Sequence, residues 1–291
     1  MSELELRQTT VAASAQHLLL TTRGRMPRIG TLLALAFVLF LAAATVAPAL
    51  VATQDPNLIA PTEAFEAPSA AHWFGTDESG RDIYSRIVAG TGTSLLIGVS
   101  ATLIGLVLGL LLGLLASFGG RVVDFGVNRV VEVLFAFPGL LLALLVIVIA
   151  GPGPVTATIA VGLSTAPGYA RIIRGQFVAI RSAPYVEAAR VLGRSPVRIL
   201  TRHIVPNALV PLFVLATLGI GQAIVWASAL SYLGLGAQPP AAEWGAMLAA
   251  GRTYLATAWW MTVFPGLMIV GTTIATTVLG RALARRGSEP R

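Results

Sequence analysis

The chain has 291 residues, 55% of them apolar and only 11% charged, with a mean hydropathy of +0.79. An ordinary soluble domain of that length needs far less apolar surface, so the composition points to a bilayer. All 20 basic residues are arginine, the net charge is +7, and the absence of cysteine excludes disulfides and thiolate metal sites.

A helix needs about 20 apolar residues to cross a hydrocarbon core. Residues 1–28 form a polar tail, and the first apolar run is Ile29–Ala52. That run is too long for the core of a cleaved leader and follows too long a tail, so a retained helix is expected. After the polar stretch Thr53–Gly92 come Ser94–Ala116, Val130–Ala150, Pro154–Ile173, Ala208–Ser231 and Ala256–Gly280, which makes six predicted membrane helices. The second carries Gly105, Gly109 and Gly113, a small-residue ladder that lets another helix backbone approach. The fourth is interrupted by Pro167 and Gly168 and has Arg171 near its end.

Charge distribution assigns sides. The segment 174–207 holds six arginines against Glu187, net +5, and the end from Arg281 holds four against Glu289, net +3. The first 28 residues hold four arginines against Glu3 and Glu5, net +2, whereas Thr53–Gly92 holds two against six acids, net −4. Arginine is retained on the cytoplasmic side of short loops. Both termini and the 174–207 loop are therefore expected in the cytoplasm and the 53–92 loop outside. This sidedness accounts for the positive charge, and no nucleic-acid partner is expected.

The cytoplasmic segment 182–207 reads SAPYVEAARVLGRSPVRILTRHIVPN and predicts two short helices. Pro184 suits a first helical turn, and Tyr185, Ala188 or Ala189, and Leu192 recur on one face. Gly193 is placed to cap the first helix with positive φ, and Ser195-Pro196 starts the second. Pro206 is expected to end it. Ala188 and Ala189 are small enough for close approach by a partner, and Glu187 is the lone acid. On residues alone, the loop could equally anchor to anionic headgroups.

Glu187-Ala188-Ala189, Gly193 and Pro206 stand at the spacing of the EAA loop of binding-protein-dependent ABC importer permeases, and the chain resembles that family. His203 and Val205 occupy two of the family's aliphatic places, and the Arg202-to-Asn207 form is similar to the peptide-permease branch. A second block, HWFGTDESGRDIYSRIVAGTGTSL from His72, resembles the GTDxxGRDxxSR segment of the C-type subunit of dipeptide and oligopeptide permeases. Gly75, Thr76, Asp77, Gly80, Arg81 and Asp82 match, with Ser85 and Arg86 beyond, while Gly92 stands where many relatives have arginine. A structural role is expected for this block, with Asp77 and Asp82 pairing Arg81 and Arg86. A third match is FAFPGLLLAL at 135–144, preceded by Glu132, which can pair with Arg129.

The resemblance implies an all-α integral membrane protein with a MetI-like permease core. It implies a tail at 1–28, a first helix and outer loop at 29–92, a five-helix core with the elbow at 93–281, and a second tail at 282–291. It also implies a bacterial inner-membrane subunit that forms half of a peptide pathway. The implied partners are a second homologous permease, cytoplasmic ATPase subunits that dock on the elbow, and an extracytoplasmic solute-binding protein. Without lysine there is no G-x-x-x-x-G-K-[ST] loop, so ATP is expected on partner subunits and no cofactor on this chain. No nucleophile–base pair is visible, so no enzymatic activity is expected. Import of nickel or another small solute, or a secondary transporter or channel, remain the alternatives.

Overall fold

The computed structural model describes residues 29–238 and 240–287; the tail 1–28, with His17, and residues 288–291 lie outside them. Helix α1, Ile29–Val46, stops where Pro48 disfavours helical geometry at Ala47, and a one-turn α2, Pro48–Val51, follows. Helix α3 runs Ile83–Phe118 and starts well before the expected Ser94, because the Asp82 side chain accepts the Ser85 N–H at 2.8 Å and caps it.

The expected third helix is two helices. α4, Gly120–Phe135, and α5, Gly139–Ala150, meet at a bend of 91°. Pro138, extended at φ −55° and ψ 128°, separates them, since it has no N–H to continue α4. Next come α6, Pro154–Arg181, α7, Pro184–Val191, and α8, Pro196–Ile199. A π-helical turn, Leu200–Ile204, leads directly into α9, Val205–Tyr232. The short α10, Trp244–Gly251, and the long α11, Trp260–Gly287, complete the chain.

Among the described residues, four helical stretches are long and apolar enough to cross a membrane: α1, α3, Val197–Tyr232 and α11. The bent α4–α5 pair makes a fifth if it is one span. The remaining expected span lies within α6, whose three threonines, one serine and three arginines lower its apolarity.

Helix α3 packs along α6, and the glycine ladder makes that approach possible. A Cβ at Gly105 would sit 2.4 Å from the Thr165 hydroxyl, and one at Gly109 only 2.5 Å from the Tyr169 Cβ. The ladder therefore serves packing within the chain. Three apolar clusters follow one another along the helices. The first joins Ile83 and Ile87 of α3 to Trp244 and Met261; the middle one joins Ile97 and Ala101 to Val161 and Leu230. The third joins Ile173 and Phe177 of α6 to Val186, Ile199 and Ile204. Large side chains such as Leu33, Leu39, Val107 and Leu111 stay exposed along α1 and α3, as a lipid-facing surface requires.

Candidate functional site

Three regions carry the chemistry. The first is the ordered block before α3. Its backbone folds back on itself at Gly75 and Gly80, both at positive φ, and a Cβ at Gly80 would lie 1.8 Å from the Ala60 carbonyl oxygen. Asp77 is buried and binds Arg81, with Nε donating to Oδ2 at 2.7 Å. The Arg86 Nε lies 3.6 Å from the same oxygen, and its Nη2 donates to the Pro240 carbonyl at 2.9 Å. Asp82 does not pair with an arginine as expected. It caps α3 and lies 3.0 Å from the Nδ1 of buried His72. The completely buried Thr76 presents its carbonyl to the Trp260 indole N–H at 3.0 Å, which ties the block to α11.

The second region is the elbow. Helix α7 ends in a Schellman motif. Arg194 N–H donates to Ala189 O at 3.1 Å and Gly193 N–H to Arg190 O at 2.9 Å, with Gly193 at φ +70°. The inward face is Val186 with Ala189, packed on Ile173, Phe177 and Ile199. This corrects the expected apolar face. Tyr185 and Leu192 point outward, with Leu192 76% and Val191 88% exposed. Ala189 is buried within the chain and is not available to a partner, whereas Glu187 and Ala188 are exposed.

Pro206 also departs from expectation. Val205 remains helical at φ −59° and ψ −50°, and its N–H reaches the Leu200 carbonyl across the π turn. The wider turn accommodates the proline that a regular ladder would reject. The second elbow helix and α9 thus form one rod, Val197–Tyr232.

The third region is a cleft of about 310 Å³ where the α4–α5 bend faces α6 and α9. Ser164, Thr165 and Tyr169 line it from α6, Gln222 and Trp226 from α9, and Phe135 and Phe137 from the bend. The Arg171 guanidinium stands 4.3 Å from the Phe135 ring centroid. Below the cleft, Asp124 of α4 takes both Nε and Nη2 of Arg174 at 2.7 and 2.8 Å. Glu132 pairs with Arg129 at 3.1 Å on an exposed surface.

Sequence reasoning missed the Asp124–Arg174 bond, since 50 residues separate the partners and no local pattern links them. It also missed α10. Glu243 just ahead of Trp-Gly-Ala-Met was the available sign: its carboxylate caps the helix by accepting from Gly245 and Ala246 at 2.8 and 2.9 Å.

Residues 105–288 match the family described as binding-protein-dependent transport system inner membrane component. The chain belongs to that family.

This permease is 41% identical over 223 residues to a dipeptide transport system permease protein of Alkalihalophilus pseudofirmus, covering 77% of this chain and 73% of the relative. It is 38% identical to a di/tripeptide transport system permease protein of Pseudomonas aeruginosa, over 87% and 86% of the two chains. A glutathione transport system permease protein of Pectobacterium atrosepticum is 43% identical over 75% of this chain and 72% of its own. Among solved structures, the inward-facing MetNI methionine ABC transporter superposes with a TM-score of 0.57 at 20% identity, covering 70% of this permease and 96% of that chain. That likeness establishes a MetI-like fold. The permease is a multi-pass inner-membrane component of a transport system.

Proposed function

We propose that this permease forms half of the pathway of an ATP-driven importer for peptides or similar small solutes, with the elbow as its coupling to a separate ATPase. One observation carries the reading. The inward face of α7 packs on α6 and on the rod that becomes α9, and these same two helices line the 310 Å³ cleft. A push on α7 therefore moves both cleft walls together. The outward face, with Glu187, Ala188, Val191 and Leu192, is left for a partner.

Peptides as cargo follow from the relatives, whose names specify dipeptides and di/tripeptides. The cleft suits such a cargo. Its lining has hydroxyl and amide groups for backbone hydrogen bonds, aromatic side chains for apolar ones, and no carboxylate. In this reading a second permease supplies the facing wall, a binding protein delivers the solute, and ATP is bound by the ATPase subunits alone. The elbow lies in the cytoplasm and the block 53–92 outside.

The test is ligand-stimulated ATP hydrolysis in reconstituted complexes. Gly193→Val forces a β-branched residue to φ +70°, where no neighbour lies within 4 Å, so only the cap is disturbed. The strain is about 1–3 kcal/mol, and stimulation is expected to fall about tenfold or more. Glu187→Arg removes the lone elbow acid and is expected to act in the same direction, with insertion intact. Unchanged stimulation in both variants rejects the coupling role.

A further inference from the structure

Behind the elbow lies a second cleft, of about 480 Å³, into which Arg181, Arg190 and Arg194 project. Its floor is apolar, with Ile199, Leu200 and Ile204, its exposed rim carries Phe118 and Val197, and none of its lining residues is acidic. Two helices fix its depth. Phe118 is the last residue of the candidate span Ile83–Phe118, and Val197 is the first of Val197–Tyr232. The cleft thus opens at the ends of both rods, and Phe118 stands two residues past the apolar run Ser94–Ala116.

Arg181 is already oriented there. Its Nη1 donates to the Ser117 carbonyl at 3.0 Å, and its guanidinium lies 6.0 Å from the Phe118 ring centroid. A guanidinium has five N–H donors, so most remain for an outside acceptor. Arg190 and Arg194 are exposed. Within α6 Arg174 is neutralised by Asp124, but the salt bridges among the described residues include none to Arg181, Arg190 or Arg194. The chain's first 28 residues carry four arginines against two glutamates, so their charge opposes occupation of the cleft.

We infer that this cleft binds the phosphate headgroup of an anionic phospholipid. The occupant must offer negative charge and apolar surface at the membrane boundary together. A phospholipid does so, with its phosphate in the guanidinium fork and its first acyl carbons on Phe118 and Val197. An acidic patch on a soluble protein would meet the arginines but leave the apolar floor uncovered. The inference does not rest on the coupling role, and its test leaves α7 untouched.

Purified full-length chain is titrated with palmitoyl-oleoyl phosphatidylglycerol or the matching phosphatidylcholine, and retained lipid is read by native mass spectrometry. The wild type is expected to hold a single phosphatidylglycerol in preference to phosphatidylcholine. Combining Arg181→Gln with Arg194→Gln is expected to weaken retention on the order of 25-fold, about fivefold per arginine. The corresponding pair of lysine substitutions should stay within a few-fold of wild type. Val197→Asp, at a position 70% exposed, keeps every arginine but places a carboxylate on the rim and should also release the lipid.

Equal retention of the two lipids overturns the inference, as does retention unaffected by either the glutamine pair or Val197→Asp. Displacement by millimolar inorganic phosphate alone would reassign the cleft to a free anion. Release of the lipid on adding the ATPase subunits would reassign it to the protein interface.

Discussion

The block before α3 and the elbow after α6 are the two charged connectors of this permease, and they are built in opposite ways. In the block, Asp77, Asp82, Arg81, Arg86 and His72 are all buried and satisfied by one another or by backbone. In the elbow, Glu187, Arg190, Arg194 and Arg198 are exposed beside the exposed apolar side chains Val191 and Leu192. A connector whose charges are matched internally is a finished part of the fold. One that leaves charge and apolar surface open is a surface made for something else, here the proposed ATPase on one side and lipid on the other.

The contrast breaks first at Asp77. Asp77→Ala would leave buried Arg86 without its carboxylate and Arg81 with Glu78 alone, a loss of about 3–5 kcal/mol. A large fall in the melting temperature of the detergent-solubilised protein is expected, and an unchanged melt would remove the block from the stable core. A far smaller effect is expected from Val191→Ser in the elbow, since exposed substitutions change stability by roughly 0.5 kcal/mol or less. The same variant should weaken ATPase binding in a pull-down, so the elbow would lose affinity where the block loses stability. The finest test changes neither. Because the chain lacks cysteine, Ser195→Cys and Ser69→Cys can each carry a single label. Ser195→Cys should react only from the cytoplasmic side and Ser69→Cys only from outside; labelling of both from one side would reverse the comparison.

Much of this was legible in the amino-acid order, because apolar runs and arginine placement respond to the bilayer itself. Gly193 was legible as a cap because few residues other than glycine accept its backbone conformation. The helix ends were less so. The first turns of α3 mix Ser85, Arg86, Thr91 and Thr93 with apolar residues and follow a charged stretch, and they are helical because Asp82 caps them and α10 covers them: Trp244 donates its indole N–H to the Ile87 carbonyl at 3.1 Å. Pro138 and Pro206 offer the same local signal, yet one breaks a helix and the other does not. The inward face of α7 was misread because apolar side chains recur on both of its faces, and only the packing on α6 decides which is buried. The cleft residues were not legible, since they come from three separate stretches of chain.

The π turn at Leu200–Ile204 has a consequence for angular register. A regular helix advances about 100° per residue, so one surplus residue wound into a wider turn rotates everything upstream by about a quarter turn. The rod that carries Val197 at one end and Gln222 and Trp226 further along is thus phased differently from an unbroken helix of the same length. Which way the elbow points, relative to the cleft wall at Gln222 and Trp226, is set by that single surplus residue as much as by any contact at either end.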